Sequence, residues 1–193
     1  SRVLRHESGV TVHSSTGEHI FDHVILASHS DQSLALLADA DDDERSVLGR
    51  VRYQDNDAWL HTDHRLLPRK REAWSAWNYV TGTPDADGRP VSVSYLLNRL
   101  QPLPCETPVI VTLNPVREPR PETVIRRITY AHPIFDAPAI AAQQALPGIQ
   151  GRRRTWFCGA WTGYGFHEDG LRSALAVVNA LGAEMPWQAQ AAA

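Results

Sequence analysis

A glycine- and aromatic-rich turn near the end of the chain holds the residue types best suited to ligand chemistry. Residues 159–170 read GAWTGYGFHEDG and are called the glycine-rich turn below. Glycines allow positive φ and let the backbone approach a flat ligand closely, while His167 and Glu168 supply groups that can exchange protons. The turn contains four glycines and three aromatic residues: Gly159, Gly163, Gly165, Gly170, Trp161, Tyr164 and Phe166.

A strand before this turn and a helix after it would position these groups. The run 156–158 is short and apolar, which is typical of a buried strand. The helix is predicted from apolar residues at i, i+3, i+4, i+7 and i+10, with Asp169 as its N-cap and Gly182 just past its end. These apolar residues are Leu171, Ala174, Leu175, Val178 and Leu181. A strand–turn–helix unit sets backbone N–H groups beside a bound anion, but a surface loop with inward aromatics fits the same spacing.

The remaining pattern predicts two structural parts that interleave along the chain. Residues 39–44 are strongly acidic and are predicted to form a solvated loop, since they lack the ligand spacing of a calcium loop. The segment 21–27 is apolar enough for a buried parallel sheet, and 82–90 is a predicted hairpin loop. Strands are predicted over 10–13, 20–27, 49–60, 73–80, 91–95, 109–113 and 124–130, and helices over 31–37, 95–100 and 138–146.

Several segments together resemble one protein family. The segment Thr155–Gly182 is similar to the C-terminal flavin-contacting segment of FAD-dependent amine oxidases, and more closely to a bacterial branch of predicted NAD/FAD-binding proteins. The segments GVTVHSSTGEHIFDHVILASHSD (9–31), LHTDHRLLPRKREAWSAWNY (60–79) and YAHPIFD (130–136) agree in the same order. The resemblance therefore covers nearly the whole chain.

The resemblance implies an α/β protein, α+β as an isolated fragment. Residues 1–46 and 150–185 would be the C-terminal part of a Rossmann-type FAD domain. Residues 47–149 would be a substrate domain with a mostly antiparallel sheet, and 186–193 a flexible tail. A complete FAD domain opens with G-x-G-x-x-G after a strand, and these residues contain no such motif. We therefore expect the phosphate-binding half to lie in a missing N-terminal part, and the chain alone to be inactive.

The resemblance also assigns roles to residues of the glycine-rich turn. Gly159 and Ala160 would pass the ribityl–pyrophosphate part of FAD, and the backbone from Phe166 to Leu171 would face the N1/C2=O edge of the flavin. The cofactor-binding residues expected are Gly159, Ala160, Trp161, Gly165, Phe166, Asp169, Gly170 and Leu171. The catalytic candidates are Tyr164, Phe166, His167 and Glu168. Tyr164 and Phe166 are candidates for an aromatic cage, together with Trp77 or Tyr79, whereas His167 and Glu168 fit a bracing role equally well.

The implied reaction is hydride transfer from a substrate to flavin N5. Many amine oxidases carry a Glu where this chain has Ala160, which leaves the substrate open between an amine and an apolar acyl or polyene chain. In the second case the enzyme would be a desaturase, isomerase or reductase. A non-catalytic binding domain is a third class that fits the residues.

Metal binding is a competing hypothesis that the spacing disfavours. His61, Asp63 and His64 form H-x-D-H, and His132 or His167 would complete a set. On a strand, however, His61 and His64 point to opposite faces, and zinc needs a consistent set of three or four ligands. No metal is therefore expected.

Composition narrows the remaining classes. The net charge of −3 gives no support to nucleic-acid or anionic-membrane binding. Cys105 and Cys158 are far apart and predict neither a disulfide framework nor a zinc ribbon. With no apolar run of ~18 residues and no visible signal peptide, a cytoplasmic protein is expected. Strands separated from a larger sheet leave open edges, so self-association is a further expectation.

Overall fold

Ten strands and five helices make up the part of the chain that the structure describes. The structure is a computed structural model that describes residues 1–80 and 92–183. The strands are β1 Arg2–Arg5, β2 Val10–Ser14, β3 Gly17–Phe21, β4 Val24–Leu26, β5 Tyr53–His61, β6 Trp77–Val80, β7 Ser92–Leu96, β8 Ile110–Leu113, β9 Val124–Pro133 and β10 Thr155–Phe157. The helices are α1 Ser30–Leu36, α2 Asp42–Leu48, α3 Leu97–Leu100, α4 Ala137–Ala145 and α5 His167–Ala180. Among the residues described, no helix is both long and apolar enough to cross a membrane.

The chain divides into two compact units. Unit 1 is Ser1–Tyr53 with Pro133–Ala193, and unit 2 is Gln54–His132. Along the chain, unit 2 is thus inserted into unit 1. The predicted hairpin loop 82–90 and the predicted tail 186–193 lie outside the described residues.

Unit 1 combines a small antiparallel sheet with a pair of parallel strands. The antiparallel sheet has the order β1-β2-β3, and β10 pairs in parallel with β4 through Phe157 opposite Leu26. The parallel sheet predicted for the 21–27 segment is therefore found only at residues 24–26, because Phe21 ends the antiparallel strand β3, and Phe21 and Ile25 are exposed instead of buried. The core of the unit contains Val10, Leu48, Ala139, Ala142, Ile149 and Phe157, all almost fully buried.

The acidic cluster is not the solvated loop that the sequence predicted. The Asp41 carboxylate caps α2 by accepting a hydrogen bond from the Glu44 N–H, and the Glu44 carboxylate accepts one from the Asp41 N–H. The acidic cluster therefore starts a helix. Glu44 itself is fully buried and forms an ion pair with buried Arg5. Arg5 also bonds the Asp39 carboxylate at 2.9 Å. The prediction was wrong because the partner, Arg5, lies on a strand far away in sequence.

Unit 2 is built on a five-stranded sheet with the order β6-β7-β8-β5-β9. The strand pairs β5–β8, β6–β7 and β7–β8 are all antiparallel, which confirms the predicted sheet type. The predicted strand 49–60 instead begins at Tyr53, after α2 has ended. The predicted strand 73–80 begins at Trp77, because Arg71–Ala73 forms a 3-10 turn. Trp74 packs against Leu67, Leu96 and Ile110, as its core assignment predicted.

Candidate functional site

The glycine-rich turn begins at the carboxyl ends of two parallel strands. The Cys158 N–H donates to the Leu26 carbonyl at 3.1 Å, which extends the β10–β4 ladder by one residue. Gly159 then adopts φ +143°, a conformation that L side chains rarely take. The carboxyl ends of parallel strands are where open α/β sheets bind ligands. The turn therefore stands at the position in unit 1 that is best suited to a ligand.

Asp169 holds the shape of this turn. Its carboxylate accepts the backbone N–H groups of Tyr164 at 3.0 Å and Phe166 at 3.1 Å, and it forms an ion pair with Arg172. A Cβ on Gly163 would lie 2.5 Å from the same carboxylate, so only glycine fits there. Asp169 was predicted as the N-cap of α5, and this was wrong. Phe166 is the N-cap, α5 starts at His167, and Asp169 is the third helical residue.

Two further side chains fix the turn from either side. On α4, the Gln143 amide donates to the carbonyls of Trp161 at 2.9 Å and Gly163 at 2.7 Å. On α5, the Ser173 hydroxyl accepts the Gly159 N–H at 2.9 Å and donates to the Gly170 carbonyl at 2.8 Å. The sequence analysis missed both residues. Gln143 lies 18 and 20 positions from its partners and gives no local signal, whereas Ser173 lies one helical turn after Gly170.

Trp161 is an internal anchor in this structure. It is only 3% exposed, and its indole N–H donates to the Ser28 carbonyl at 3.2 Å. A Cβ on Gly159 would lie 2.9 Å from the Trp161 ring, so the glycine permits this packing. One of the three aromatic residues in the turn therefore faces the core, as the surface-loop alternative required.

The other two aromatic residues of the turn are open to solvent. Tyr164 is 70% and Phe166 is 63% exposed. Phe135 approaches the Tyr164 ring edge to face at 6.3 Å, and it also lies 3.3 Å from the position of a Cβ on Gly165, which has φ +89°. Because exposed rings of this size cost hydration free energy, the pair marks a surface suited to a flat partner.

The first turn of α5 presents unbonded backbone donors next to these rings. The first N–H groups of a helix have no acceptor within the helix and carry a partial positive charge. Here they belong to His167 and Glu168, whose side chains are exposed and make no hydrogen bond within the described residues. The bracing role considered for these two side chains belongs to Asp169 instead.

The helix that follows buries a different stripe from the one predicted. Val177 is the buried apolar residue, whereas Leu171 is 45% and Leu181 is 37% exposed. Ala174, Leu175 and Val178 are half-buried. Part of the apolar stripe predicted from the spacing therefore faces outward in this chain.

Two residues of the metal hypothesis, His61 and Asp63, are engaged in other bonds. His61 is fully buried in unit 2, where Nδ1 accepts the Asp63 N–H at 3.0 Å and Nε2 lies 2.8 Å from the Thr112 hydroxyl. The Asp63 carboxylate is paired with Arg65. Over residues 1–80 and 92–183, no group of three His, Cys, Asp or Glu side chains is placed to hold a metal ion.

Burial and hydrogen bonding shift the pKa values of two residues in unit 2, His61 and Asp63. Burial lowers the pKa of His61, so the ring is neutral and Nε2–H donates to Thr112. Hydrogen bonds from the Arg65 guanidinium hold the pKa of Asp63 far below its ordinary value, and the Arg120 N–H adds to this effect. Both groups therefore keep one protonation state at neutral pH, and both serve the structure of unit 2.

Comparisons with known proteins place the fold. No protein-family model matches the chain, and no curated protein sequence matches it. Among solved structures, it is similar to a CLA-producing fatty acid isomerase from P. acnes, with a TM-score of 0.64, 18% identity, and coverage of 92% of this chain and 46% of that one. It is also similar to a cyclohexylamine oxidase from Brevibacterium oxydans, with a TM-score of 0.53, 13% identity, and coverage of 94% of this chain and 48% of that one. A third similar structure is a reduced UDP-galactopyranose mutase, with a TM-score of 0.56, 14% identity, and coverage of 89% of this chain and 44% of that one.

The fold is that of the C-terminal part of amine oxidase-type flavoprotein structures, as the resemblance implied. At this level of identity the likeness concerns the fold alone. The chain spans a little under half the length of the structures it matches.

Proposed function

We propose that this chain is the C-terminal part of an FAD-dependent oxidoreductase of the amine oxidase type. The observation that carries the proposal is the braced turn at the carboxyl ends of β10 and β4. Three side chains from α4 and α5 hold it in one shape, yet its exposed surface contains two large aromatic rings and free backbone donors. A turn that is anchored inside by Trp161 and held in one shape, with its outer rings and donors left free, is suited to an external ligand.

The residues of the turn fit a flavin and its ribityl–pyrophosphate chain. Gly159 and Ala160 supply a backbone without bulky side chains at the strand ends, beside the expected phosphate-bearing part. The backbone from Phe166 to Leu171, with Gly170 in it, would face the electron-rich N1/C2=O edge and would offer it the free N–H groups of His167 and Glu168, since a helix N-terminus favours negative charge. Trp161 and Asp169 would act through the backbone that they hold, and Gly165 through the positive φ that turns the chain.

When bound, a flavin supplies a ring that accepts a hydride at N5. The protein's own contribution is to place and orient the reacting molecule. Tyr164 and Phe166 offer aromatic faces for that purpose, and His167 and Glu168 are the nearest exposed groups that could move a proton. The substrate would be either an amine or an apolar acyl or polyene chain.

The two units take different roles in this proposal. The FAD domain expected at 1–46 and 150–185 would extend to the bounds of unit 1, since Ala139 and Ala142 belong to the core of that unit, and unit 2 would be the substrate domain. The partner is an N-terminal half of the same protein that carries the phosphate-binding glycine motif, because the chain has no such motif and spans under half of the structures it matches. The chain alone should then bind FAD weakly and show no turnover. The open edges of β4 and β10 also make self-association of the separated chain a part of the proposal.

The visible absorption spectrum tests this assignment. The full-length parent protein and this 193-residue chain would be purified with added FAD and freed of unbound flavin. We expect flavin bands in the parent protein and none in the chain alone. If neither protein retained flavin, the proposal would be wrong, and a non-catalytic binding domain would replace it. Flavin and turnover in the chain alone would contradict the split site.

A further inference from the structure

One face of the sheet of unit 2 is buried and carries polar and apolar residues, whereas the other face is apolar and partly open. Residues directly opposite each other on paired strands share a face. The register places Asn78, Ser94, Thr112 and Trp59 on one face, called the inner face, and all four are buried. The opposite face, called the outer face, is apolar along β6, β7 and β8. It carries Trp77, Tyr79, Val93, Tyr95, Val111 and Leu113.

The outer face is aromatic at one edge. Trp77 is 62% and Tyr79 is 65% exposed, although both are large apolar side chains on a regular strand. Tyr95 lies opposite Trp77, with the rings edge to face at 5.5 Å. The next strands continue the same row with Val111 and then Leu60. A continuous apolar row therefore crosses four strands.

The fifth strand, β9, ends this row with a positive charge. The Arg127 guanidinium lies 4.5 Å over the ring of Trp59, so Arg127 belongs to the inner face. Alternation along the strand then places Arg126 on the outer face. The same alternation places Asn56 of β5 and His132 of β9 on the outer face. The 3.0 Å distance between the Asn56 amide and His132 Nδ1 agrees with this assignment. Arg126 is exposed at the edge opposite to Trp77.

The charge of the outer face separates the two substrate classes left open above. Within the described strands, Arg126 is the one Arg or Lys that the outer face carries, and that face has neither Asp nor Glu. An ammonium group would find aromatic rings but no carboxylate there. An anionic group would find the guanidinium, which suits a carboxylate. The charge complementarity therefore favours an acid over an amine.

We propose that the outer face binds a long apolar chain that ends in a carboxylate, of the fatty-acyl or polyene type. Strands are spaced by 4.7–4.9 Å, so five strands span about 19 Å, which matches an extended long-chain acid laid across them. The apolar chain lies over Trp77, Tyr95, Val111 and Leu60, and the carboxylate pairs with Arg126. The assignment of this ligand as a substrate rests on the proposed function, but its binding does not require flavin.

A fluorescent polyene acid tests the surface directly. Parinaric acid, whose emission rises in apolar surroundings, would be titrated into the 193-residue chain. We expect saturable binding that weakens about tenfold when Trp77→Ser and Tyr79→Ser are combined. The matched control is Ile125→Ser, a 59% exposed side chain of β9 that alternation places on the inner face. This control should leave the affinity unchanged.

The charge is tested separately from the apolar contact. Arg126→Gln should weaken binding of the acid about fivefold and leave binding of its methyl ester unchanged. Arg99→Gln, an exposed arginine of α3, is the control and should affect neither. Competition by a long-chain primary amine should be weaker than competition by the acid of equal length.

Three results would overturn the proposal. The first is equal weakening by Ile125→Ser and by the outer-face variants. The second is stronger competition by the amine than by the acid. The third is a dimer in sedimentation that the Trp77 and Tyr79 substitutions dissociate, because the outer face would then be covered by a second copy. Each readout is independent of flavin, so an absence of flavin bands in the parent protein would reject the proposed function and leave this binding measurement intact.

Discussion

Both units bury polar side chains, but the two interiors are of different kinds. In unit 1 the buried polar pair is charged, with Arg5 against Glu44. Unit 2 contains, beside the buried Asp63 carboxylate that pairs with Arg65, a chain of neutral groups in which His61 bonds Thr112, and Thr112 lies 2.8 Å from the Ser94 hydroxyl. Removing one partner of a buried charged pair leaves the other charge uncompensated and is strongly destabilising, whereas removing one member of a neutral chain costs only its hydrogen bonds.

Removing one charge from the interior of unit 1 should give the largest loss of stability. Glu44→Ala leaves Arg5 buried with only Asp39 as a partner, and we expect a loss of about 3–5 kcal/mol in the free energy of unfolding. Urea denaturation followed by circular dichroism measures it. Asp43→Ala, at an exposed carboxylate of the same helix, is the control. A loss below about 1 kcal/mol in Glu44→Ala would mean that the pair is not buried as described.

Breaking the neutral chain of unit 2 should have a smaller effect. Thr112→Val keeps the shape of the side chain and removes the hydroxyl between His61 and Ser94, so about 1–3 kcal/mol should be lost. Thr129→Val, at an exposed position of β9, serves as the matched control. Equal stabilities of the two variants would show that the hydroxyl contributes nothing.

The pH dependence of stability should report on the buried His61 of unit 2. Because burial lowers the pKa of His61, the unfolded chain binds more protons than the folded one below about pH 6.5. Stability should therefore fall as the pH drops from 7.5 to 5.5. Asp63, whose pKa is lowered by Arg65, stays ionised over this range and loses its contribution only below about pH 4.

The variant His61→Gln tests the origin of that slope. It should be less stable than the wild type at pH 7.5 and should show a smaller further loss at pH 5.5. The measurement is urea denaturation of both proteins at the two pH values. An unchanged slope would assign the effect to another histidine.

The outer-face substitutions should have the smallest effect on stability. Trp77→Ser and Tyr79→Ser remove largely exposed rings, so the free energy of unfolding should change by no more than about 0.5 kcal/mol for each. Thermal unfolding checks this. A large loss would mean that these rings are part of the core, and their role in ligand binding would need a different explanation.

The sequence predicted those features that depend on neighbouring residues. The strand–turn–helix around Gly159 follows from glycine spacing and apolar periodicity within one segment, and the parallel pairing of residues 24–26 follows from the apolar run that they belong to. The start of α2 was missed because acidic residues alone do not show that Glu44 has a buried partner on β1. The N-terminus of α5 was misplaced because Asp169 accepts two N–H groups that precede the helix, a function that resembles an N-cap in sequence.

The hydrogen bonds that hold the glycine-rich turn could not be predicted from the sequence, because they depend on the packing of distant segments. Gln143 acts on carbonyls that reach it only through the packing of α4. The outer face also depends on register, since Trp77 and Tyr95 become neighbours only when β6 and β7 pair. Contacts of this kind are set by tertiary structure, and a single sequence shows no sign of them.

The flavin content of the full-length parent protein, with and without the Asp169→Ala substitution, tests the central claim most directly. Loss of the carboxylate frees the N–H groups of Tyr164 and Phe166 and releases the turn from α5. We predict bound flavin in the wild type and a loss of most of it in Asp169→Ala, while circular dichroism shows that both proteins are folded. Glu168→Ala, at the exposed neighbouring carboxylate, should retain the flavin. Full retention of flavin by Asp169→Ala, with an unchanged spectrum, would contradict the claim that the braced turn holds the cofactor.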